Sequence, residues 1–310
     1  MIISASRRTD IPALYSDWFF NRLKEGYALV QNPRNPYRFS KVLLNPQVVD
    51  CFVFWSKNPL PMINRLSELD NYKYYFQFTL TPYERDIEIR LPSVEKRIEI
   101  FKRLSDRIGG DKIVWRYDPI FINETYSIEF HQEAFFRITS QLKDYTEKCI
   151  ISFIDHYAHI KNVFDRFHIN PMSDYEIKLI MESFSKIVSE FNLKLKTCAE
   201  DIDLNEFNIS HGACIDKDLI EQIIECPLIA KKDKNQRAMC NCIESVDIGT
   251  YDTCSHGCIY CYATTNGDRV YRNIKLHDKK SPKLLGHPNE TDIITLKEMK
   301  ALRTNQKTLF

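Results

Sequence analysis

Seven runs of strand length recur along this chain, each rich in apolar or β-branched residues, and helical patterns separate most of them. The runs are 2–5, 50–55, 74–80, 112–117, 148–154, 194–198 and 245–249. Between them, apolar spacing and stop signals predict helices over 15–25, 59–69, 93–108, 128–146, 173–191 and 216–225. Strand–helix alternation of this kind implies parallel β/α units, and hence the α/β class. The strands read as near-continuous apolar runs, as expected when both faces of a sheet are covered. A hairpin is expected where Leu29-Val30 faces Val42-Leu43-Leu44, and a last helix is expected over 296–302.

Polar residues cluster just after these strands: Arg7, Arg8 and Asp10; Lys57 and Asn58; Arg116 and Asp118; Asp155 and His156; Glu200 and Asp201. In a (β/α) barrel such positions form the rim that carries the active site. Arg8, Asp10, Lys57, Arg116, Asp118 and Asp155 are therefore candidate catalytic residues. The plainer alternative is that these charges pair with one another and organise loops. Asp155 with His156 and His159 suggests a metal trio or an acid–base set, against a purely structural pair of histidines.

The chain has 310 residues, long enough for one large domain or two small ones. Its formal net charge is +1, so no broad electrostatic capture of nucleic acid is indicated. Lys231–Arg237 is locally basic and reads either as a solvated loop or as a nucleic-acid contact. No apolar run approaches the ~18–20 residues of a membrane span, and the first residues lack a signal-peptide pattern. A cytoplasmic location is expected. Thiols stay reduced there, so the ten cysteines call for an explanation other than disulfides. All but Cys51 and Cys149 fall between Cys198 and Cys261, which points to metal binding.

The strongest local signal is Cys254-Ser-His-Gly-Cys258-Ile-Tyr-Cys261. Three thiolates on one short loop can hold three irons of a [4Fe–4S] cluster and leave the fourth iron open. An open coordination position is suited to chemistry, as in catalytic metal sites. The alternative is a zinc ribbon that borrows a further cysteine, although ribbons usually pair two C-x2-C knuckles and only one is present here. Cys240 and Cys242, with Cys198 and Cys214, supply four more thiols, enough for a second, closed cluster. They could equally be small buried side chains, the role expected of Cys51 and Cys149. Cys226 is a weaker substitute ligand.

The spacing, with Tyr260 just before the last cysteine, resembles the cluster loop of radical S-adenosylmethionine enzymes. The wider stretch Thr253–Tyr262 looks most like spore-photoproduct-lyase-type members. Over nearly its whole length the chain resembles a bacterial family known as DUF1848, through Ile3–Pro12, Phe54–Pro59, Lys232–Arg237 and the cysteine loop. The resemblance implies a TIM-type barrel, one catalytic [4Fe–4S] cluster on Cys254, Cys258 and Cys261, and S-adenosylmethionine on the open iron. Tyr260 and Gly257 would then lie at the cofactor. It also implies a small-molecule or nucleotide-type substrate and an electron donor such as flavodoxin or ferredoxin. Radical enzymes of this kind carry the loop after their first strand, whereas here it comes late. A circular permutation would reconcile the two, with 245–249 acting as the first strand. The expected organisation is a barrel body over 1–205, a cysteine-rich segment over 206–262 that completes it, and a packed tail over 263–310. The competing expectation is a non-catalytic iron–sulfur or zinc protein serving electron transfer or structure.

Overall fold

The structure, a computed structural model, describes residues 1–155 and 157–304. His156 lies outside the described residues. Among those residues the strands are β1 (Ile2–Ala5), β2 (Tyr27–Asn32), β3 (Asn35–Leu43), β4 (Cys51–Ser56), β5 (Tyr74–Thr79), β6 (Ile113–Ile120), β7 (Lys148–Phe153), β8 (Lys194–Thr197), β9 (Ser210–His211), β10 (Val246–Asp247) and β11 (Ile293–Leu296). The helices are α1 (Ile11–Leu14), α2 (Ser16–Glu25), α3 (Leu60–Ile63), α4 (Val94–Ile108), α5 (Ile128–Leu142), α6 (Lys161–Phe167), α7 (Asp174–Glu190), α8 (Lys217–Ile224) and α9 (Gly267–Lys275).

Eight strands form one sheet in the order β10-β1-β4-β5-β6-β7-β8-β9. Every neighbouring pair in it is parallel. The register sets Phe54 against Phe76 and Phe78 against Trp115, so large apolar side chains line up on one face. Helices cover that face. Phe19 of α2 meets Phe52 and Phe54 edge-on at 5.3 and 5.2 Å, and Phe135 of α5 stacks on Phe184 of α7 at 3.7 Å. Each such aromatic, removed from water, contributes about 1.5–3 kcal/mol. Side-chain caps start the longer helices: Ser93 accepts from Lys96 N at α4, and Ser173 forms a capping box with Glu176 at α7.

The second face of the sheet is covered differently. Cys51, Val53, Tyr75, Val114 and Ile150 pack there against Cys214, Ile215, Leu219, Ile220, Cys240 and Cys242. The seven expected strands fit either a complete or an incomplete TIM-type barrel, and a complete, closed one does not form. β9 and β10 end the sheet at opposite edges and do not pair, so among the described residues the sheet is open. Each edge strand is only two residues long, and the 213–243 segment folds across the face that further strands would have had to enclose. The 206–262 stretch thus supplies both edges of the sheet.

The hairpin of β2 and β3 is antiparallel, as expected, and β11 adds to it in parallel. The expected helix over 296–302 does not form. Ile293–Leu296 pairs with the open edge of β3, and the following backbone is taken up by distant partners: Lys297 N donates to Lys41 O and Leu302 N to Asp50 Oδ2. These tertiary bonds outweigh the modest helix propensity of Lys297-Glu298-Met299-Lys300. α6 and α9 were not anticipated.

Candidate metal centre and active site

A cavity of about 390 Å³ opens where the chain leaves β1, β4, β6, β7, β8 and β10. That volume lies in the range of small-molecule sites, about 300–1,000 Å³. Arg8, Asp10, Lys57, Arg116, Asp118 and Asp155 all line it, together with Tyr260. So do Cys254, Cys258 and Cys261 on one part of the wall, and Cys198, Cys214, Cys240 and Cys242 on another. Residues spread over more than 250 positions of sequence therefore meet at one place, because parallel strands deliver their C-terminal ends to the same edge. Gly257 does not line the cavity; with φ of +74° it makes the turn between the first two cysteines, a conformation that favours glycine.

The cysteine loop is held along its length by partners other than sulfur. Tyr15 OH donates to Thr253 O at 2.6 Å, Arg90 N to His256 O at 3.0 Å and Ile259 N to Ile87 O at 3.0 Å. His256 Nε2 lies 2.8 Å from Asp10 Oδ2, and the pair is buried. Asp10 also caps α1 by accepting from Ala13 N and accepts from Lys57 N. Its carboxylate thus ties together the ends of β1 and β4 and the cysteine loop. Asp10 acts here as a positioning residue. Burial pushes the Cys254 thiol up to about 12 and the Cys258 thiol well above the ordinary value.

Lys57 is equally committed. Its Nζ donates to Glu88 Oε1 at 2.7 Å and to Tyr260 OH at 2.9 Å. Tyr260 OH donates in turn to Glu88, and Thr81 Oγ1 reaches Glu88 Oε1 at 2.8 Å. Arg97 Nη1 stands 2.7 Å from Glu88 Oε2, off the line of a good hydrogen bond but close enough for a full ion pair. Glu88 and Arg97 are each 1% exposed. Burial alone would raise the Glu88 carboxyl; Lys57 and Arg97 outweigh it and hold it at about 2. The aromatic ring beside the last cysteine is therefore locked by a buried charge cluster.

On the opposite wall Arg116 donates through Nη1 to Cys214 Sγ at 2.9 Å and grips Asp118 with Nε and Nη2. Ser152 also donates to Asp118. Burial opposes ionisation of Asp118, and Arg116 and Ser152 lower its pKa below the ordinary value. Asp155 pairs with both terminal nitrogens of Arg237, Tyr157 joins the pair, and Gln236 and Arg237 at the end of the basic 231–237 loop line the cavity. His159 lies 3.5 Å from Cys261 O rather than beside Asp155.

Sequence reasoning passed over His256, although it sits inside the cysteine loop, and Glu88, which lies in a loop with no pattern to mark it. It also passed over Trp55, whose ring faces Arg7 at 5.9 Å, and Tyr157. Glu200 stands outside the cavity wall; burial, with Asp155 and Asp118 nearby, raises its carboxyl to about 7 while Phe153 N donates to it at 3.0 Å. Asp247 gathers Ser4 Oγ, Ser6 Oγ, Arg7 N and Gly249 N, fixing the turn from β10 toward the cysteine loop.

Among the described residues no three His, Cys, Asp or Glu side chains close round a single point as ligands of one ion. The donor set nonetheless fits a cluster: three thiols from one braced loop face a cavity, and cluster ligands are spread over several irons rather than one. Among the described residues no helix is long and apolar enough to cross a membrane. Residues 2–263 match a family model described as a domain of unknown function, DUF1848, and the chain belongs to that family. No curated protein and no solved structure matches it.

Proposed function

We propose that this member of the DUF1848 family is a radical S-adenosylmethionine-type enzyme. The observation that carries the reading is the convergence of Cys254, Cys258 and Cys261 on a small-molecule-sized cavity that is also lined by the charged strand ends. Cys254, Cys258 and Cys261 would hold a [4Fe–4S] cluster. When bound, that group supplies one electron to the sulfonium of S-adenosylmethionine, which yields methionine and a 5′-deoxyadenosyl radical.

The chain's own residues bind, orient and exclude water. The Asp10–His256 bond and the Lys57–Glu88–Tyr260 cluster hold the cysteine loop in one conformation, as a reactive site requires. Arg7 and Arg8 give the cavity wall positive charge toward anionic substrate groups, whereas Arg237 is taken up by Asp155. Trp55, Tyr157 and Tyr262 supply flat apolar surface for a ring. A substrate with both features, such as a nucleotide, suits this wall better than a purely apolar one. An electron carrier of the flavodoxin or ferredoxin kind would deliver the electron.

Parallel pairing of β10 beside β1 supports the permuted reading. The strand that leads into the cysteine loop lies at the sheet edge next to the N-terminal strand, the position a first strand would hold. A substrate-sized cavity lined by charged strand ends favours catalysis over electron transfer alone, which needs no such space. The test is electron paramagnetic resonance of anaerobically reconstituted, reduced protein titrated with S-adenosylmethionine. A cluster signal whose shape changes on titration is expected. A cluster signal indifferent to S-adenosylmethionine would contradict the proposal.

A further inference from the structure

Cys198, Cys214, Cys240 and Cys242 arrive from three separate segments: the end of β8, the turn after β9, and the 233–243 loop. Cys198 Sγ and Cys214 Sγ are 2.9 Å apart. Cys240 and Cys242 line the same cavity and pack with Cys214 in one buried cluster on the second face of the sheet. Their backbone is fixed from inside the sheet. Tyr75 OH and Gln77 Nε2, both fully buried, donate to Cys214 O at 2.6 and 2.9 Å. Asp233 N donates to Cys242 O at 2.9 Å and Ile243 N to Ile215 O at 3.2 Å, which binds the second pair of cysteines to the first.

Two N–H donors are aimed at these sulfurs: Arg116 Nη1 at Cys214, 2.9 Å, and Ile215 N at Cys242, 3.3 Å. A neutral thiol is a weak acceptor and gives little reason for such bonds. Sulfur carrying thiolate charge is what N–H donors around metal–thiolate centres stabilise. Cys51 and Cys149 show the contrast. Each is fully buried within a strand, and each does the packing work of a small apolar side chain.

We propose that Cys198, Cys214, Cys240 and Cys242 ligate a second metal centre, closed by four thiolates, in the wall of the same cavity. This proposal stands whether or not the cysteine loop binds a catalytic cluster. Four thiolates saturate either one tetrahedral ion or the irons of one cubane, and leave no position open. The metal replaces the thiol protons, up to four of which are released, and metal–sulfur bonds take the place of the S–H···S bond between Cys198 and Cys214. Around one zinc ion, with zinc–sulfur bonds of about 2.3 Å, the sulfurs stand about 3.8 Å apart, so Cys198 and Cys214 must separate on binding. The centre would add a direct tie between the end of β8, the turn after β9 and the 233–243 loop. Arg116 links it to Asp118 on the cavity wall.

The test uses the full chain with Cys254, Cys258 and Cys261 all changed to serine, purified without oxygen and assayed for zinc, iron and sulfide. One centre per chain is expected to remain, as about one zinc or as about four irons with sulfide. Either result supports the site, and they decide which metal it takes. Adding Cys214→Ser and Cys242→Ser should remove that metal, whereas adding Cys226→Ser should leave it. A folded triple variant free of metal would overturn the proposal. Should the five-fold variant fail to fold, X-ray absorption at the metal edge of the triple variant decides. Pure sulfur coordination of the metal is expected, with about four thiolates for zinc, and oxygen or nitrogen neighbours would overturn it.

Discussion

Changing Cys254 to Ala should abolish release of 5′-deoxyadenosine while leaving the fold intact. The loop around it is braced by Tyr15, Arg90, Asp10 and the Ile87–Ile259 backbone bond, none of which uses the sulfur. Iron attached through the loop should fall, because two remaining thiolates hold a cluster poorly. Far-ultraviolet circular dichroism and the thermal midpoint should stay close to those of the unaltered chain. A variant that instead unfolds on losing its metal would mark the loop as a structural clasp, since small metal-stapled units owe their folding energy to the metal.

Changing Glu88 to Gln should be the most destabilising single replacement near the cavity that leaves every cysteine in place. It strips the counter-charge from Arg97, which is 1% exposed, and from Lys57. Breaking one side of a buried ion pair costs about 3–5 kcal/mol. For a chain of this size that corresponds to a fall in thermal midpoint of roughly 5–8 °C. The sign of the pH dependence follows from the depressed carboxyl. Held at about 2 in the folded chain, it lies below the ordinary value of about 4.3 for an unfolded glutamate. Its contribution is therefore fully present above that ordinary value and is lost as pH falls through about 2. The gap in stability between unaltered and Glu88→Gln protein should be constant from pH 7 to 5 and should narrow below about pH 4. Denaturant midpoints measured at pH 7, 5 and 3 check this. A gap independent of pH would show that the carboxylate charge contributes nothing.

The sheet was legible because its strands are apolar on both faces and separated by helices with clear periodicity. Runs such as Cys51–Trp55 and Tyr74–Phe78 leave little choice of element. Sheet closure was not legible, since β9 and β10 are two residues each and carry no pattern of their own. The strand Ile293–Leu296 was not anticipated, and the helix expected over 296–302 rested on composition alone. The groups that hold Lys297 and Leu302 instead, Lys41 O, the Asp50 carboxylate and Ile229 N, are remote in sequence.

Charge after a strand located the cavity wall well but said nothing about commitment. Asp10 and Lys57 look free in sequence and are bound on all sides in the fold. Glu88 shows the reverse. Its importance arises wholly from Lys57, Arg97 and Tyr260, which tertiary structure alone brings to it. Cysteine spacing identified the two sulfur groups. Only the fold shows that both line one cavity.

The most direct test of the central claim is one assay on the unaltered chain. Protein reconstituted with iron and sulfide without oxygen is mixed with S-adenosylmethionine and dithionite, and 5′-deoxyadenosine is measured against time. Release that needs both the reductant and the iron is the result expected. An iron-loaded chain that binds S-adenosylmethionine yet forms no 5′-deoxyadenosine, with or without candidate nucleotides, would contradict it.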